Sequence, residues 1–193
     1  MKVVIIGNYL PRQCGIATFT HNFVLALQSA SARLEQKTEI AIVAMPNTAI
    51  ALCESITCLS FDPKWEEQKE TIISLFNLLG TTAVINEELM AAATVLGSCG
   101  IAFALRFMRA AMQGGIEIGF SAEMAQFITA QTMKGASELI LKSNHHPERE
   151  IDKVTTPRGI TISGLNEMEH QGFSSSLIHG LITSFEKMGG AKK

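Results

Sequence analysis

The sequence has few aromatic residues and no concentrated charge. Only 6% of its 193 residues are aromatic, with one Trp and one Tyr, and 16 Lys and Arg nearly balance 18 Asp and Glu. A nucleic-acid binder needs a basic face and a stacking platform, so nucleic acid is excluded as a partner. Cysteine is sparse too. Cys14, Cys53, Cys58 and Cys99 form no C-x-x-C pair and none clusters with His, so no metal is expected and the thiols read as those of a reduced, cytoplasmic protein. The opening "MKVVIIGNYL" has one Lys, a short apolar run cut by a turn and no cleavage pattern, which excludes a signal peptide. No His pairs with Cys or Asp at a catalytic spacing, and His145, His146 and His170 sit in polar contexts expected to be solvated. Glu66, Glu67 and Glu70 read as a solvated helix face. The dinucleotide fingerprint Gly-x-Gly-x-x-Gly is missing as well: after the first strand stands Gly7 alone, then Asn8, Tyr9, Leu10 and Pro11.

What is present is an apolar, globular chain, 47% hydrophobic, long enough for one or two domains. "KVVII" at residues 2–6, the turn after it and the spacing of Phe19, Phe23 and Leu27 predict a strand, a loop and a helix. "EIAIVA" and "SITCLSF" predict two more strands. Asp62-Pro63 then signals a helix running to Leu79 and stopped by Gly80, before a short strand in "TTAVIN". From Asn86 the character changes. Asn86 as N-cap, with Glu87 and Glu88 at the positive end of the dipole, opens a helix with no breaker pair until Gly114-Gly115. Its uncharged run Leu89 to Leu105 is only just long enough for a membrane span and is diluted by Ala, Gly, Ser, Thr and Cys, with Arg106 and Arg109 following. No membrane partner is expected; the run reads as a helix buried in a tight protein interface. Gly97 and Gly100 inside it cost about 1 kcal/mol each unless a second helix crosses there. Ser121 caps a helix to Lys142, Pro147 opens a shorter one, and two more follow from Thr161 and Ser174. The chain divides into an α/β unit, residues 1–85, and a helical unit, residues 86–193, whose apolar helices call for burial against another subunit.

Two loops are candidates for chemistry. "MPNT", Met45 to Thr48, follows a strand at its C-terminal edge, where ligands bind in open α/β sheets, and the Asn47 amide suits a carboxamide. It is also ordinary turn chemistry. "VTTPRGIT" places Pro157 and Gly159 in a turn and Thr161 at a helix N-cap, where free N–H groups bind a carboxylate. A plain capped helix start remains open beside that reading.

Taken together, "MPNTAIALCESITCLS", "MAAATVLGSCGIAFALRFMRAAMQGGIEIGF" and "HPEREIDKVTTPRGITISGLNEMEHQGF" resemble pyrroline-5-carboxylate reductase of the Bacteroides type, in order and spacing, over residues 40–188. The resemblance implies a truncated Rossmann-like unit followed by a helical dimerisation domain of the 6-phosphogluconate dehydrogenase C-terminal type, assembled as a homodimer or larger ring. It implies hydride transfer from NADPH or NADH to the imine of 1-pyrroline-5-carboxylate, giving L-proline, with no metal. It places the N–H groups of Gly159, Ile160 and Thr161 on the substrate carboxylate and the Thr161 hydroxyl on the ring nitrogen, the one catalytic side chain. Met45, Pro46, Asn47 and Thr48 then lie beside the nicotinamide.

Three departures accompany it. Arg158 stands where the family's Thr/Ser-Pro-Gly-Gly-x-Thr turn has its first Gly, a position suited to φ > 0. The family's Ser-Gly-Ser-x-Pro-Ala-Tyr segment reads Gly97-Ser98-Cys99-Gly100-Ile101-Ala102-Phe103. The strands that carry the adenosine side are shortened away, and residues 1–27 instead resemble the opening of a GT-B glycosyltransferase. Weak cofactor binding is therefore expected, and a catalytically impaired dimerisation or ligand-binding fragment or chimera is the alternative reading.

Overall fold

The computed structural model describes residues 42–188. The expected first strand and helix and the glycosyltransferase-like segment lie outside the described residues. The chain forms two compact units, the first including residues 42–101 and 184–188, the second residues 102–183.

In the first unit, strand β1 (Ile42–Met45) pairs antiparallel with β2 (Ser55–Phe61), with Ala44 opposite Leu59. β2 pairs in parallel with β3 (Gly80–Val84), with Leu59 opposite Val84. The sheet order is β1-β2-β3. A parallel pair needs a crossover, supplied here by helix α1 (Lys69–Asn77). Ile72 and Phe76, four residues apart and so on one face of α1, pack with Ala44 and Leu59 into the core. Leu59 is completely buried, worth about 1.5–3 kcal/mol of transfer free energy.

Gly80 does more than stop a helix. Its φ of +140° is open to glycine, and a Cβ there would sit 2.1 Å from the Ser55 carbonyl oxygen, so no side chain fits where β3 meets β2. The helix expected from Pro63 begins instead as a 3₁₀ stretch, Pro63–Gln68, broken at Trp65, whose φ of −110° and ψ of 16° leave the helical region. Regular α-helix starts at Lys69.

The long helix runs from Glu87 to Glu117, 31 residues, long and apolar enough by length and composition to cross a membrane. Its start is a 3₁₀ turn, Glu87–Leu89, behind an extended Asn86 whose side chain makes no cap. It continues as α2 (Met90–Ala93), a π-helical segment Thr94–Cys99, and α3 (Gly100–Glu117). The helix passes through Gly114-Gly115 because glycine only weakens a helical ladder, while proline breaks it. Gly115 also admits the next helix: a Cβ on it would lie 3.1 Å from the Ala125 Cβ. Among the described residues no other helix crosses at Gly97 or Gly100; a Cβ on Gly97 would touch only the Ile56 side chain, at 3.4 Å.

The second unit holds the rest of α3, then α4 (Ala122–Ser143), α5 (Pro147–Asp152), α6 (Ile160–His170) and most of α7 (Phe173–Lys187). Local chemistry sets these boundaries. The Ser121 hydroxyl accepts from the Met124 N–H to start α4, and Asn144, with φ of 54°, closes it. Pro147 opens α5 with His146 as its cap. Phe107 and Phe173 meet edge to face with centroids 6.0 Å apart. Yet Ala125 alone is buried among the described residues of this unit, while Phe127 is 67% and Leu141 79% exposed.

Candidate functional site

The candidate residues fall into two groups, one in each unit. In the first, the chain leaves β1 at Met45, passes Pro46 and enters a 3₁₀ turn at Thr48–Leu52. Asn47, only 6% exposed, holds this loop. Its Oδ1 accepts from the Ala49 N–H at 3.0 Å, capping the turn, and its Nδ2 donates to the Gly97 carbonyl at 3.0 Å. Its own N–H donates to the Ser55 hydroxyl at 3.1 Å, which lies 3.4 Å from the buried Thr57 hydroxyl. A polar cluster of this depth is stable only when its members are paired. Gly97 lies within the π-helical segment, where the Gly100 N–H reaches back five residues to the Val95 carbonyl. Such a shift disturbs the regular ladder, and the Asn47 amide supplies a donor to a carbonyl within it.

In the second unit, Gly159, Ile160 and Thr161 are brought together by a tight turn. The Gly159 N–H donates to the Thr156 carbonyl at 2.8 Å, with Pro157 and Arg158 as central residues. Arg158 has φ of 59°. Pro followed by a residue at positive φ marks a type II turn, whose third position normally belongs to Gly. The position where the family pattern has glycine thus has the backbone geometry that glycine serves, and an arginine adopts it. Gly159 tolerates no Cβ, which would lie 2.6 Å from the Thr156 hydroxyl oxygen and 2.9 Å from its carbonyl oxygen. The N-cap of α6 is Gly159, extended at ψ 159°, and Thr161 is the second helical residue, not the cap. No side chain caps this N-terminus. Its first N–H groups and the positive end of its dipole are therefore available to a carboxylate. Thr161 and Arg158 are exposed.

Between α4 and this turn stands a cluster that the sequence did not single out. Glu150 accepts from Lys153 Nζ at 2.7 and 2.8 Å, and its Oε1 lies 2.6 Å from His145 Nδ1. Lys153, then His145, hold the Glu150 carboxyl below its usual range. His145 and His146 thus have structural partners, His146 as the cap of α5. Among the described residues no group of three His, Cys, Asp or Glu is placed to hold a metal. Cys53, Cys58 and Cys99 are free thiols, and burial pushes the Cys58 thiol up.

Residues 87–190 match the family model described as pyrroline-5-carboxylate reductase dimerisation. Pyrroline-5-carboxylate reductase 1 of Dictyostelium discoideum is 49% identical over 174 residues, covering 84% of this chain and 31% of the relative. Reductase 2 of the same organism is 48% identical over 157 residues, 75% of this chain and 52% of the relative. The chain therefore spans between about a third and about half of these relatives' length. The crystal structure of the Plasmodium falciparum pyrroline carboxylate reductase with NADP bound superposes at a TM-score of 0.70 and 27% identity, over 76% of this chain and 56% of that one. The Coxiella burnetii reductase, at TM-score 0.73 and 22% identity over 79% of this chain and 57% of that one, shares the fold. The small sheet and the helices after it are thus a truncated Rossmann-like unit and a helical dimerisation domain, as expected from the sequence. The chain belongs to the pyrroline-5-carboxylate reductase dimerisation family.

Proposed function

We propose that the protein is an NAD(P)H-dependent pyrroline-5-carboxylate reductase of L-proline biosynthesis, working in the cytoplasm as a homodimer or larger ring. The observation that carries the reading is the uncapped N-terminus of α6 behind the Thr156–Gly159 turn, with Thr161 in its first helical turn. Gly159, Ile160 and Thr161 form the carboxylate site: the Gly159 N–H is engaged by the Thr156 carbonyl, and the N–H groups of Ile160 and Thr161 are the donors to the substrate carboxylate. The Thr161 hydroxyl bonds the ring nitrogen, which gains a proton as the C=N carbon gains a hydride. Orientation is most of the catalysis in such a site. In this reading residues 1–85 are the α/β unit and residues 86–193 the dimerisation and substrate unit.

The loop Met45, Pro46, Asn47 and Thr48, at the C-terminal end of β1, lies beside the nicotinamide and is kept in one conformation by the hydrogen bonds of Asn47. A reduced nicotinamide bound there supplies the hydride. The nicotinamide side fits; the phosphate fingerprint is absent from the sequence, so binding by this chain is weak. The apolar helices, led by Glu87–Glu117, meet those of a second copy, which explains their exposure better than a lipid contact does. The test is pyrroline-5-carboxylate-dependent oxidation of NADPH and NADH by the purified chain, beside Thr161→Ala. Slow turnover that vanishes in the variant is expected. A folded oligomer without turnover overturns the activity and favours the second reading, a dimerisation and ligand-binding fragment, to which the missing fingerprint also points.

A further inference from the structure

We infer that Asn47 is a positioning residue, a latch that fixes the Met45–Thr48 loop to the π-helical segment of the long helix, and not itself a contact to a ligand. The inference rests on the reading of that loop as the cofactor side. Sequence chemistry makes Asn47 attractive as a carboxamide partner, since its amide both donates and accepts. The structure commits both ends of that amide within the chain: Oδ1 to the Ala49 N–H and Nδ2 to the Gly97 carbonyl, fifty residues away. One N–H and one lone pair remain, on a side chain only 6% exposed. The two bonds have different jobs. The first is a local cap that an Asp or Ser would supply as well. The second joins the loop to the π-helical segment.

That join is placed where a fixed distance matters. Pro46 before Asn47 removes one backbone donor and narrows the loop's conformations, and the Asn47 N–H is anchored on buried Ser55. The loop is therefore held by three hydrogen bonds of Asn47, two through its side-chain amide and one through its backbone N–H. The π-helical segment, for its part, is a departure from α geometry, of the kind that is often found at functional sites. Loss of the Nδ2 bond frees the loop from Thr94–Cys99 while leaving its own turn intact.

Asn47→Asp and Asn47→Ser separate the two jobs, because each keeps a capping oxygen and neither donates to the Gly97 carbonyl. Hydrogen–deuterium exchange of the whole chain is the readout. In both variants, amides of Thr94–Cys99 and of Met45–Thr48 are expected to exchange about tenfold faster or more, while those at Cys53 and Glu54, held by the capped turn, do not change. Unchanged exchange in Thr94–Cys99 overturns the latch. Asn47→Ser, which adds no charge, keeps the test valid if the Asp variant does not fold. Fluorescence titration with NADPH and with L-proline adds a readout that a merely structural role does not split. Loss of the latch is expected to raise the NADPH Kd about tenfold and to leave the L-proline Kd unchanged; equal changes in both overturn the positioning role. A wild-type chain that binds no NADPH at millimolar concentration overturns the cofactor reading of the loop, and the exchange data still decide the latch.

Discussion

His145 and Glu150 lie on either side of the start of α5, and their Nδ1 and Oε1 atoms are 2.6 Å apart. The carboxylate also accepts two hydrogen bonds from Lys153, so one side chain ties the entry of a six-residue helix to its exit. So short a helix has little cooperativity of its own. The direction in which the chain enters the Thr155–Thr161 turn therefore depends on this clamp.

The clamp has a pH signature. Lys153, then His145, lower the Glu150 carboxyl below 4.5 in the folded chain. The folded state therefore holds the ionised form better than the unfolded one does. Its contribution is present above the unfolded value and is lost as pH falls through the folded one. Thermal unfolding of the wild type is expected to fall more steeply than that of Glu150→Gln as the pH drops below about 4.5. Parallel curves would show that the clamp carries no stability.

The turn before α6 offers two substitutions of opposite sign. Gly159→Ala forces a Cβ to 2.6 Å from the Thr156 hydroxyl oxygen and is expected to destabilise by about 1–3 kcal/mol. Arg158→Gly relieves a side-chain-bearing residue at φ 59° and is expected to stabilise by about 0.5–1 kcal/mol. Urea unfolding midpoints at constant slope measure both.

The core of the first unit makes a sharper claim. Leu59→Ala removes the centre of the Ala44, Ile72 and Phe76 cluster, with an expected loss of about 2–5 kcal/mol. Gly80→Ala meets backbone at 2.1 Å and is expected to exceed about 4 kcal/mol. Denaturant titration ranks them, and a mild Gly80→Ala phenotype would contradict the β2–β3 geometry described above.

Assembly is tested on the other unit. Phe127 is 67% exposed on α4, and Phe127→Asp introduces a charge where a second copy is expected to pack. Sedimentation velocity is expected to show a dimer for the wild type and a monomer for the variant. A dimer that persists in the variant places the contact elsewhere.

The sequence revealed those features that local chemistry decides. β2 follows from the β-branched run "SITCLSF", and the ends of α4 and α5 from Ser121 and Pro147, because a cap or a proline acts on its own neighbours. Features set by distant contacts escaped it. The π-helical segment has no compositional mark and is paired with Asn47, fifty residues earlier. The kink at Trp65 broke a helix that Asp62-Pro63 signalled. For the candidate site, the turn residues were legible and the capping register was not: the extended Gly159 took the N-cap expected of Thr161. The extended conformation of Gly159 follows a turn fixed by Pro157 and the positive φ of Arg158, and residue type alone does not reveal where such a turn ends.

With Ala125 the one buried residue among the described residues of the second unit, residues 102–183, that unit has almost no interior to fold around. In the proposed assembly its folding and its association are one coupled event, with an equilibrium that carries a concentration term. Dilution is then expected to act on these helices as a denaturant does, and their melting temperature to rise with the amount of protein in the tube.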